Sequence, residues 1–283
     1  MRLLISGAKG LIGSRLIPLL EQDKHTVIPL PRNHFNPKEL EGFEAVIHLA
    51  GEPIANKRWT AAVKKKIYES RVHNTTLLAN VLTQLQNPPR IFICASAIGY
   101  YGDRGEELLT EASPAGSGFL SEACKAWESA CDPLRQKGIR VVQLRTGIVL
   151  TPDGGALKAM LPFFKLGIAG CLGDGNQYMS WIALEDELKA IRHCLLTTTI
   201  QGPVNLVAPN PVHNCEFTKT LGKILHRPTI FALPRFAARF IFGEKADALL
   251  LASTRVVPAV LESSGFKFTY PLLESALARI NAH

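Results

Sequence analysis

The sequence lacks any long apolar run, and none approaches the roughly eighteen residues that a membrane-spanning helix needs. No basic segment with an apolar stretch behind it precedes the first predicted strand, which starts almost at once. We therefore expect no cleaved export signal and no membrane partner, and we predict a cytoplasmic protein.

Cysteine is scarce, and its spacing excludes the common metal sites. The six cysteines form no C-x-x-C pair and no zinc-type pattern; they are Cys94, Cys124, Cys131, Cys171, Cys194 and Cys215. We expect no metal and, in a cytosolic compartment, reduced thiols.

Low-complexity segments and internal repeats are absent too. The 283 residues are 47% apolar and 20% charged, which suits a large buried core and argues against disorder. The net charge of +8 raises the question of nucleic acid, but the densest basic stretch, residues 57–71, has helical spacing and no binding motif accompanies it. A solvated helix face, partly serving a polyanionic ligand, is the better interpretation. Salt-dependent binding to random DNA would test the alternative.

Three glycines lie where a short apolar run meets a helical pattern. Residues 3–5 predict a buried strand and residues 11–20 a helix, which places Gly7, Gly10 and Gly13 on the turn between them. Gly7 permits a tight turn, Gly10 leaves room for a pyrophosphate, and Gly13 lets the helix lie close to the sheet. The helix N-terminus then offers free N–H groups to the anion.

The next strand turns this pattern into a prediction about the cofactor. Residues 27–30 complete a β-α-β unit, and Arg32 stands where a carboxylate would hold the ribose of NAD. Arginine suits a 2′-phosphate, and Lys9 adds a second cation. We therefore predict NADP(H); the alternative is that both are solvated surface cations.

Strands and helices continue to alternate along the chain. The patterns predict strands at 45–51, 91–95, 140–145 and 203–207, and helices at 59–85, 119–137, 181–196, 215–225, 234–242, 246–252 and 272–280. This order predicts an α/β protein, a Rossmann-type doubly wound parallel sheet with a smaller, mainly helical C-terminal domain. We assign residues 1–150 and 181–208 to the first domain, and 151–180 and 209–283 to the second. Two glycine-rich loops, 151–155 and 172–176, are predicted walls of the substrate site.

Several motifs together resemble one family. They are the glycine turn, residues 48–54 with Arg58-Trp59, Ser70-Arg71, residues 96–102, Arg145-Thr146-Gly147 and Ser264-Gly265-Phe266. The set resembles the "epimerase family protein" branch of the atypical extended short-chain dehydrogenase/reductases, over nearly the whole chain. The resemblance implies a Rossmann domain that holds NADP(H). The expected cofactor contacts are Gly7, Lys9, Gly10, Leu11, Ile12, Gly13, Arg32, Leu49, Ala50, Gly51, Arg71 and Ile148.

The chemistry departs from the wider family. Those enzymes use a Tyr-x-x-x-Lys helix whose phenolate takes a substrate proton. Here Ser121 and Lys125 hold those positions, and a serine hydroxyl is too weak an acid to replace the phenol without a base beside it. Lys125 either contacts a nicotinamide ribose or is solvated.

Other candidates for catalysis lie in the loop after the fourth strand. Ser96 either steadies a substrate oxygen or caps its own turn. Tyr100 and Tyr101 either supply a phenol from another direction or pack. We interpret His48 as a strand histidine with its hydrogen bonds met. Trp181, Glu185 and Asp186 could line a pocket, although carboxylates at a helix N-terminus are ordinary dipole chemistry.

Two functions from different classes follow. The first is an NADP(H)-dependent oxidoreductase or epimerase-like enzyme acting on a small hydroxyl or carbonyl substrate, as a monomer or homodimer. The second is a catalytically degenerate NADP(H)-binding regulator, which the missing tyrosine favours and the retained glycine-rich loops disfavour.

Overall fold

A computed structural model describes residues 1–31, 35–55 and 57–279 of the chain. The predicted 2′-phosphate ligand Arg32 lies outside these described residues. The strands are β1 (Arg2–Ser6), β2 (Thr26–Pro29), β3 (Ala45–His48), β4 (Ile91–Ala97), β5 (Leu108–Leu109), β6 (Arg140–Thr146), β7 (Ile148–Leu150), β8 (Tyr178–Met179), β9 (Trp181–Ala183), β10 (Gly202–Leu206), β11 (Val212–His213) and β12 (Arg255–Val256).

Helices connect these strands and flank the sheet. They are α1 (Gly13–Gln22), α2 (Pro37–Leu40), α3 (Ala61–Thr83), α4 (Phe119–Ser129), α5 (Asp132–Gln136), α6 (Gly155–Lys165), α7 (Leu184–Leu196), α8 (Asn214–Ile224), α9 (Arg235–Phe242), α10 (Glu244–Ala246), α11 (Ala259–Ser263) and α12 (Leu273–Ala278). A 3₁₀ turn covers Ile98–Tyr100, and a π-helical turn covers Asp247–Leu251.

Six strands form the central parallel sheet in the order β10-β6-β4-β3-β1-β2. Its inner strands are apolar runs buried on both faces, as expected of a parallel sheet covered by helices. One core packs α1 and α7 against one face, and another packs α3, α4 and α5 against the other. The prediction of a doubly wound Rossmann-type sheet is confirmed.

Three predicted helices differ in the structure. The stretch 119–137 is two helices, because Pro133 has no N–H to continue the first one and instead lies in the first turn of α5. Residues 181–183 form strand β9 beside β7, and the helix begins only at Leu184. Residues 246–252 hold the end of α10 and the π-helical turn.

The C-terminal part builds its own core around α6, α8 and α12. Leu261 and Phe266, however, pack in the core of the central sheet, so this segment contacts both parts. The division into two domains stays a prediction.

Two of the six cysteines correct the prediction of reduced thiols. Cys171 and Cys215 form a disulfide, whereas the other four cysteines are free and buried. The two lie 44 residues apart in sequence, and the pairing of β8 with β11 brings their segments together.

Within the described ranges, no helix is both long and apolar enough to cross a membrane. The same residues contain no group of three or more histidine, cysteine or acidic side chains placed to hold a metal ion.

Candidate functional site

The glycine turn sits where the strand order reverses. Strand β1 pairs with β2 on one side and with β3 on the other, so a crevice opens beyond their carboxyl ends. Gly7 has a φ of +76°, and a Cβ there would stand 2.9 Å from the backbone nitrogen of Ala50. Only glycine permits this conformation and this approach, as the sequence predicted.

Helix α1 presents unpaired donors to the crevice. The backbone N–H groups of Leu11, Ile12 and Gly13 have no acceptor among the described residues, because the turn's internal bonds start from Gly10 and Ser14. Three such groups at a helix N-terminus form an anion site. The Leu11, Ile12 and Gly13 predictions thus rest on available backbone donors.

The other two glycines have different neighbours. A Cβ on Gly10 would meet only the Gly7 carbonyl oxygen, at 3.1 Å, so its outer side is open for a ligand. A Cβ on Gly13 would come 2.3 Å from that same oxygen. The turn therefore leaves no room for a side chain at Gly13, and the predicted role of Gly13 in helix–sheet packing stays a prediction. Lys9 is exposed beside them.

The opposite wall of the crevice is the end of β3. The backbone N–H of Leu49 donates to the Ser6 carbonyl, and that of Ala50 donates to the Ser6 hydroxyl at 3.3 Å. Ser6 also lies 2.6 Å from Nδ1 of His48. Burial lowers the pKa of His48 to about 4, so the imidazole is neutral. Its Nε2 is buried without a partner in the described chain, so only one nitrogen of this histidine is satisfied.

Arg71 reaches the crevice from α3. Its Nη1 donates to the carbonyls of Glu52 and Ile67 at 3.0 and 3.2 Å, and the guanidinium lies against Gly51, where a Cβ would be 3.2 Å from its central carbon. Burial lowers the pKa of this arginine below its ordinary value. Its Nη2 donates to no acceptor in the described ranges, which leaves a donor for a ligand at the predicted Gly51 and Arg71 positions.

The loop at 151–155 lies against the glycine turn. A Cβ on Gly154 would stand 2.9 Å from a methyl carbon of Leu11, and Arg15 pairs with Asp153 at 2.9 Å. This loop therefore belongs to the cofactor end of the crevice rather than to the predicted substrate wall. The second glycine-rich loop packs on the C-terminal helices, where Asp174 pairs with Arg235.

A buried charge cluster supports the loop after β4. Arg145 makes two bonds of 2.9 Å to the Glu128 carboxylate, and its side chain is 4% exposed. Burial alone would lower the pKa of Arg145, but the bonds to Glu128 outweigh it and the pKa lies above its ordinary value. Its guanidinium carbon is 3.5 Å from the centre of the Tyr100 ring.

The two tyrosines of this loop have different roles. Tyr101 is fully buried, and its hydroxyl donates to Asn205 at 2.7 Å and accepts from Arg145 at 3.0 Å. Burial raises its pKa to about 12. A catalytic Tyr101 is therefore not supported, because its hydroxyl is committed to the core. Tyr100 is half-buried, and its hydroxyl bonds to nothing within the described chain.

Ser96 faces Glu128 in this structure. Its hydroxyl donates to the Glu128 carboxylate at 2.7 Å, and the residue is only 5% exposed. The Ser96 hydroxyl therefore neither caps its own turn nor remains free to donate to a substrate. Only its lone pairs remain for another partner.

With this geometry established, known proteins show where the chain belongs. The model of the NAD dependent epimerase/dehydratase family matches residues 3–206, and a domain of unknown function, DUF1731, matches residues 233–280. An epimerase family protein of Mycobacterium bovis is 41% identical, over 96% of this chain and 95% of its own.

The chain belongs to the NAD-dependent epimerase/dehydratase family. A chloroplastic family member of Arabidopsis thaliana is 33% identical, over 99% of this chain and 86% of its own. The crystal structure of human epimerase family protein SDR39U1 (isoform 2) with NADPH has a TM-score of 0.92 and 32% identity, covering all of both chains. The resemblance inferred from the motifs is confirmed.

Ser121 and Lys125, which stand at the positions of the Tyr-x-x-x-Lys pair, have no arrangement among the described residues that would support catalysis. Ser121 is fully buried, and its hydroxyl donates to the Tyr100 carbonyl at 2.8 Å. Lys125 is exposed and forms no bond or ion pair in the described part of the chain, which fits the solvated alternative. The helix geometry of the pair survives without its chemistry.

The remaining predicted positions are mostly structural. The Ile148 backbone N–H donates to Ser180 at 2.9 Å, so any cofactor contact there must use another group. Trp181 is fully buried with its indole N–H on the Asn210 carbonyl. Asp186 accepts from the backbone N–H groups of Thr269 and Tyr270, both at 2.8 Å, and so anchors the C-terminal segment.

Two important groups were missed by sequence reasoning. Glu128 follows the Trp127 of an ordinary amphipathic helix, and nothing in that pattern pointed to a buried partner for Arg145. Glu187 is fully buried on α7, with one oxygen accepting from Thr146 at 3.1 Å and the other unpartnered in the described chain. Burial raises the pKa of Glu187 to about 8. Both are glutamates in helical segments, where the sequence pattern alone predicts a solvated side chain.

Proposed function

We propose that this protein binds NADP(H) in the crevice between β1 and β3. The observation that carries the proposal is the row of unpaired N–H groups at Leu11, Ile12 and Gly13, opposite the end of β3. These donors suit a pyrophosphate. The human relative of 32% identity has a crystal structure with NADPH.

The preference for NADP(H) over NAD(H) rests on two cations. Lys9 is exposed at the glycine turn, and Arg32 follows β2 in the sequence. A hydrogen bond to a charged group contributes roughly 1.5–3 kcal/mol, which corresponds to about a ten- to hundredfold preference. When bound, the cofactor supplies or accepts a hydride.

The reaction we propose is a redox or epimerase-like step on a small hydroxyl or carbonyl substrate. Tyr100 is the candidate proton donor, because its hydroxyl has no hydrogen-bond partner among the described residues and its ring rests on the Arg145 guanidinium. The loop that carries it follows β4 at the carboxyl edge of the sheet, where such folds place their chemistry. Ser96 would contribute only as an acceptor.

One observation favours the second candidate, a cofactor-binding regulator without turnover. The hydroxyl of Ser121 donates to the Tyr100 carbonyl, and Lys125 is exposed with no partner in the part of the chain that the structure describes. This alternative shares the cofactor site and differs in predicting no NADPH oxidation with any substrate.

Calorimetric titration with NADPH and NADH tests the cofactor proposal. We expect the unaltered protein to prefer NADPH and Arg32→Glu to lose that preference. Arg90→Glu, an exposed arginine before the amino end of β4, is the matched control and should keep it. Equal affinities for both cofactors in the unaltered protein would refute the assignment.

The proposed setting is the cytoplasm, with the protein as a monomer or homodimer and no nucleic-acid partner. The chloroplastic name of the Arabidopsis thaliana relative shows that one family member has another location. Fractionation of cells and light scattering of the purified protein test these points.

A further inference from the structure

A second cleft lies at the other end of the sheet. It has a volume of about 260 Å³ and lies between two short ribbons, β5 with β12 and β8 with β11. Residues 209–211, which begin three positions after the end of β10, form its third wall. The glycine turn belongs to β1, and strands β6, β4 and β3 separate β1 from β10. The cleft is therefore distinct from the cofactor crevice.

Arg255 supplies the cleft with an unneutralised cation. Its guanidinium carbon lies 4.9 Å from the centre of the Tyr178 ring, and both residues line the cleft. Within the described residues no carboxylate comes within 4 Å of this guanidinium, and its Nε is buried without an acceptor. A buried donor of this kind costs free energy unless a partner bonds it.

The walls around Arg255 are held in place. The rings of Tyr178 and His213 are tilted against each other with their centres 4.1 Å apart, and Nδ1 of His213 bonds the Asn176 carbonyl. Nε2 of His213 has no partner among the described residues. The amide nitrogen of Asn210 donates to the Pro271 carbonyl at 3.0 Å. The donors therefore need little reorganisation to accept a ligand.

We propose that this cleft binds a small oxyanion, the phosphate or carboxylate group of a metabolite, on the Arg255 guanidinium. A planar guanidinium presents its N–H groups in a fork that matches both anions. The volume lies below the roughly 300–1,000 Å³ typical of sites for drug-sized ligands, so the ligand is small. Glu216, an exposed carboxylate of the lining, opposes the anion and weakens its binding.

Calorimetry on the NADPH-saturated protein tests the cleft without interference from the cofactor's own phosphates. The titrants are inorganic phosphate, acetate and, as the neutral control, glycerol. We expect saturable binding of at least one anion in the millimolar range and none of glycerol. The stronger of the two anions identifies the group that the ligand carries.

Two substitutions with opposite expected effects on anion affinity make the test specific. Arg255→Gln should weaken anion binding at least about tenfold, the scale of one lost charged hydrogen bond. Glu216→Gln should strengthen it by about two- to fivefold, because a nearby repulsive charge is removed. Glu262→Gln, an exposed glutamate on α11, is the matched control and should change nothing.

The proposal is overturned if neither anion binds saturably, or if Arg255→Gln binds as the unaltered protein does. Should Arg255→Gln fail to fold by circular dichroism, Glu216→Gln decides the matter, and an unchanged affinity overturns the proposal. NADPH affinity is measured on every variant. Because its loss would report on the crevice alone, failure here and failure of the proposed function are distinguishable.

Discussion

The guanidinium carbon of Arg145 lies 3.5 Å from the centre of the Tyr100 ring, while Nε and Nη2 of the same guanidinium donate to the Glu128 carboxylate. The aromatic face of Tyr100 thus rests on a fixed cation, an arrangement that orients the ring and leaves the hydroxyl unbonded in the described chain. The Tyr100 phenol is therefore presented by a buried ion pair rather than by the helix position where the wider family carries its tyrosine.

A phenylalanine at position 100 should reduce turnover by about 10²-fold or more, the usual scale of a lost general acid. NADPH oxidation is followed by absorbance with a panel of sugar, quinone and aldehyde substrates. Ser121→Ala is the matched control, because its hydroxyl is bonded to a backbone carbonyl, and it should barely change the rate. Loss of turnover in Ser121→Ala with Tyr100→Phe still active would refute the assignment.

Tyr101→Phe should lower stability instead of activity. It removes the hydroxyl that bonds Asn205 and Arg145 and leaves both partners buried, which costs about 1–3 kcal/mol. Urea denaturation measures the loss. A variant as stable as the unaltered protein would show that these bonds contribute nothing net.

Breaking the buried ion pair should be more damaging than breaking an exposed one. Glu128→Gln leaves the Arg145 charge inside the protein without its counterion, for which we expect about 3–5 kcal/mol of destabilisation. Glu274→Gln breaks the exposed pair with Lys223 and should cost at most about 1 kcal/mol. Comparable losses in the two variants would contradict the buried character of the first pair.

Glycines 10 and 7 should respond differently to a side chain. Gly10→Val places its branches on the open side of the turn and should abolish NADPH binding with the thermal midpoint nearly unchanged. Gly7→Val forces a branched residue to a φ of +76° and against the Ala50 backbone, so the fold itself should lose stability. Normal cofactor binding by Gly10→Val would place the phosphates elsewhere.

The raised pKa of buried Glu187 predicts that the stability of the fold depends on pH. Its folded-state pKa is about 8 against an ordinary 4.5, so the fold favours the protonated acid. The stabilisation is complete below about pH 4.5 and is lost as the pH rises through about 8. Glu187→Gln, which stays neutral, should match the unaltered protein at pH 4.5 and exceed it at pH 8 by a few kcal/mol, at roughly 1.4 kcal/mol per pKa unit. Glu262→Gln should show no such pH-dependent gain in urea denaturation.

The sheet and the glycine turn could be predicted because their causes are local. A buried strand, three spaced glycines and an amphipathic helix are adjacent in sequence, and each requirement concerns neighbouring residues. The roles of Tyr100 and Tyr101 could not be separated this way. Their partners Arg145 and Asn205 come from other strands, and two adjacent tyrosines on a loop look alike until those strands are in register.

The same reason explains the disulfide and the misplaced loop. Cys171 and Cys215 are paired by a ribbon of two-residue strands too short to show a pattern, and the loop at 151–155 meets the glycine turn through Leu11 and Arg15, far away in sequence. Pro133 is a local signal for the break before α5, but the helical spacing of apolar residues on both sides of it favoured one continuous helix.

Strand β10 ends the sheet, and its outer side bears on aggregation. A bare edge strand invites pairing with another chain. Here the Asn205 backbone N–H donates to the Glu111 carboxylate at 3.0 Å, and that same oxygen accepts from the Val260 N–H at 3.2 Å. Glu111 thus bonds the Asn205 N–H at the sheet edge and also holds the start of α11 beside it. A strand from a second molecule therefore cannot use this N–H for pairing.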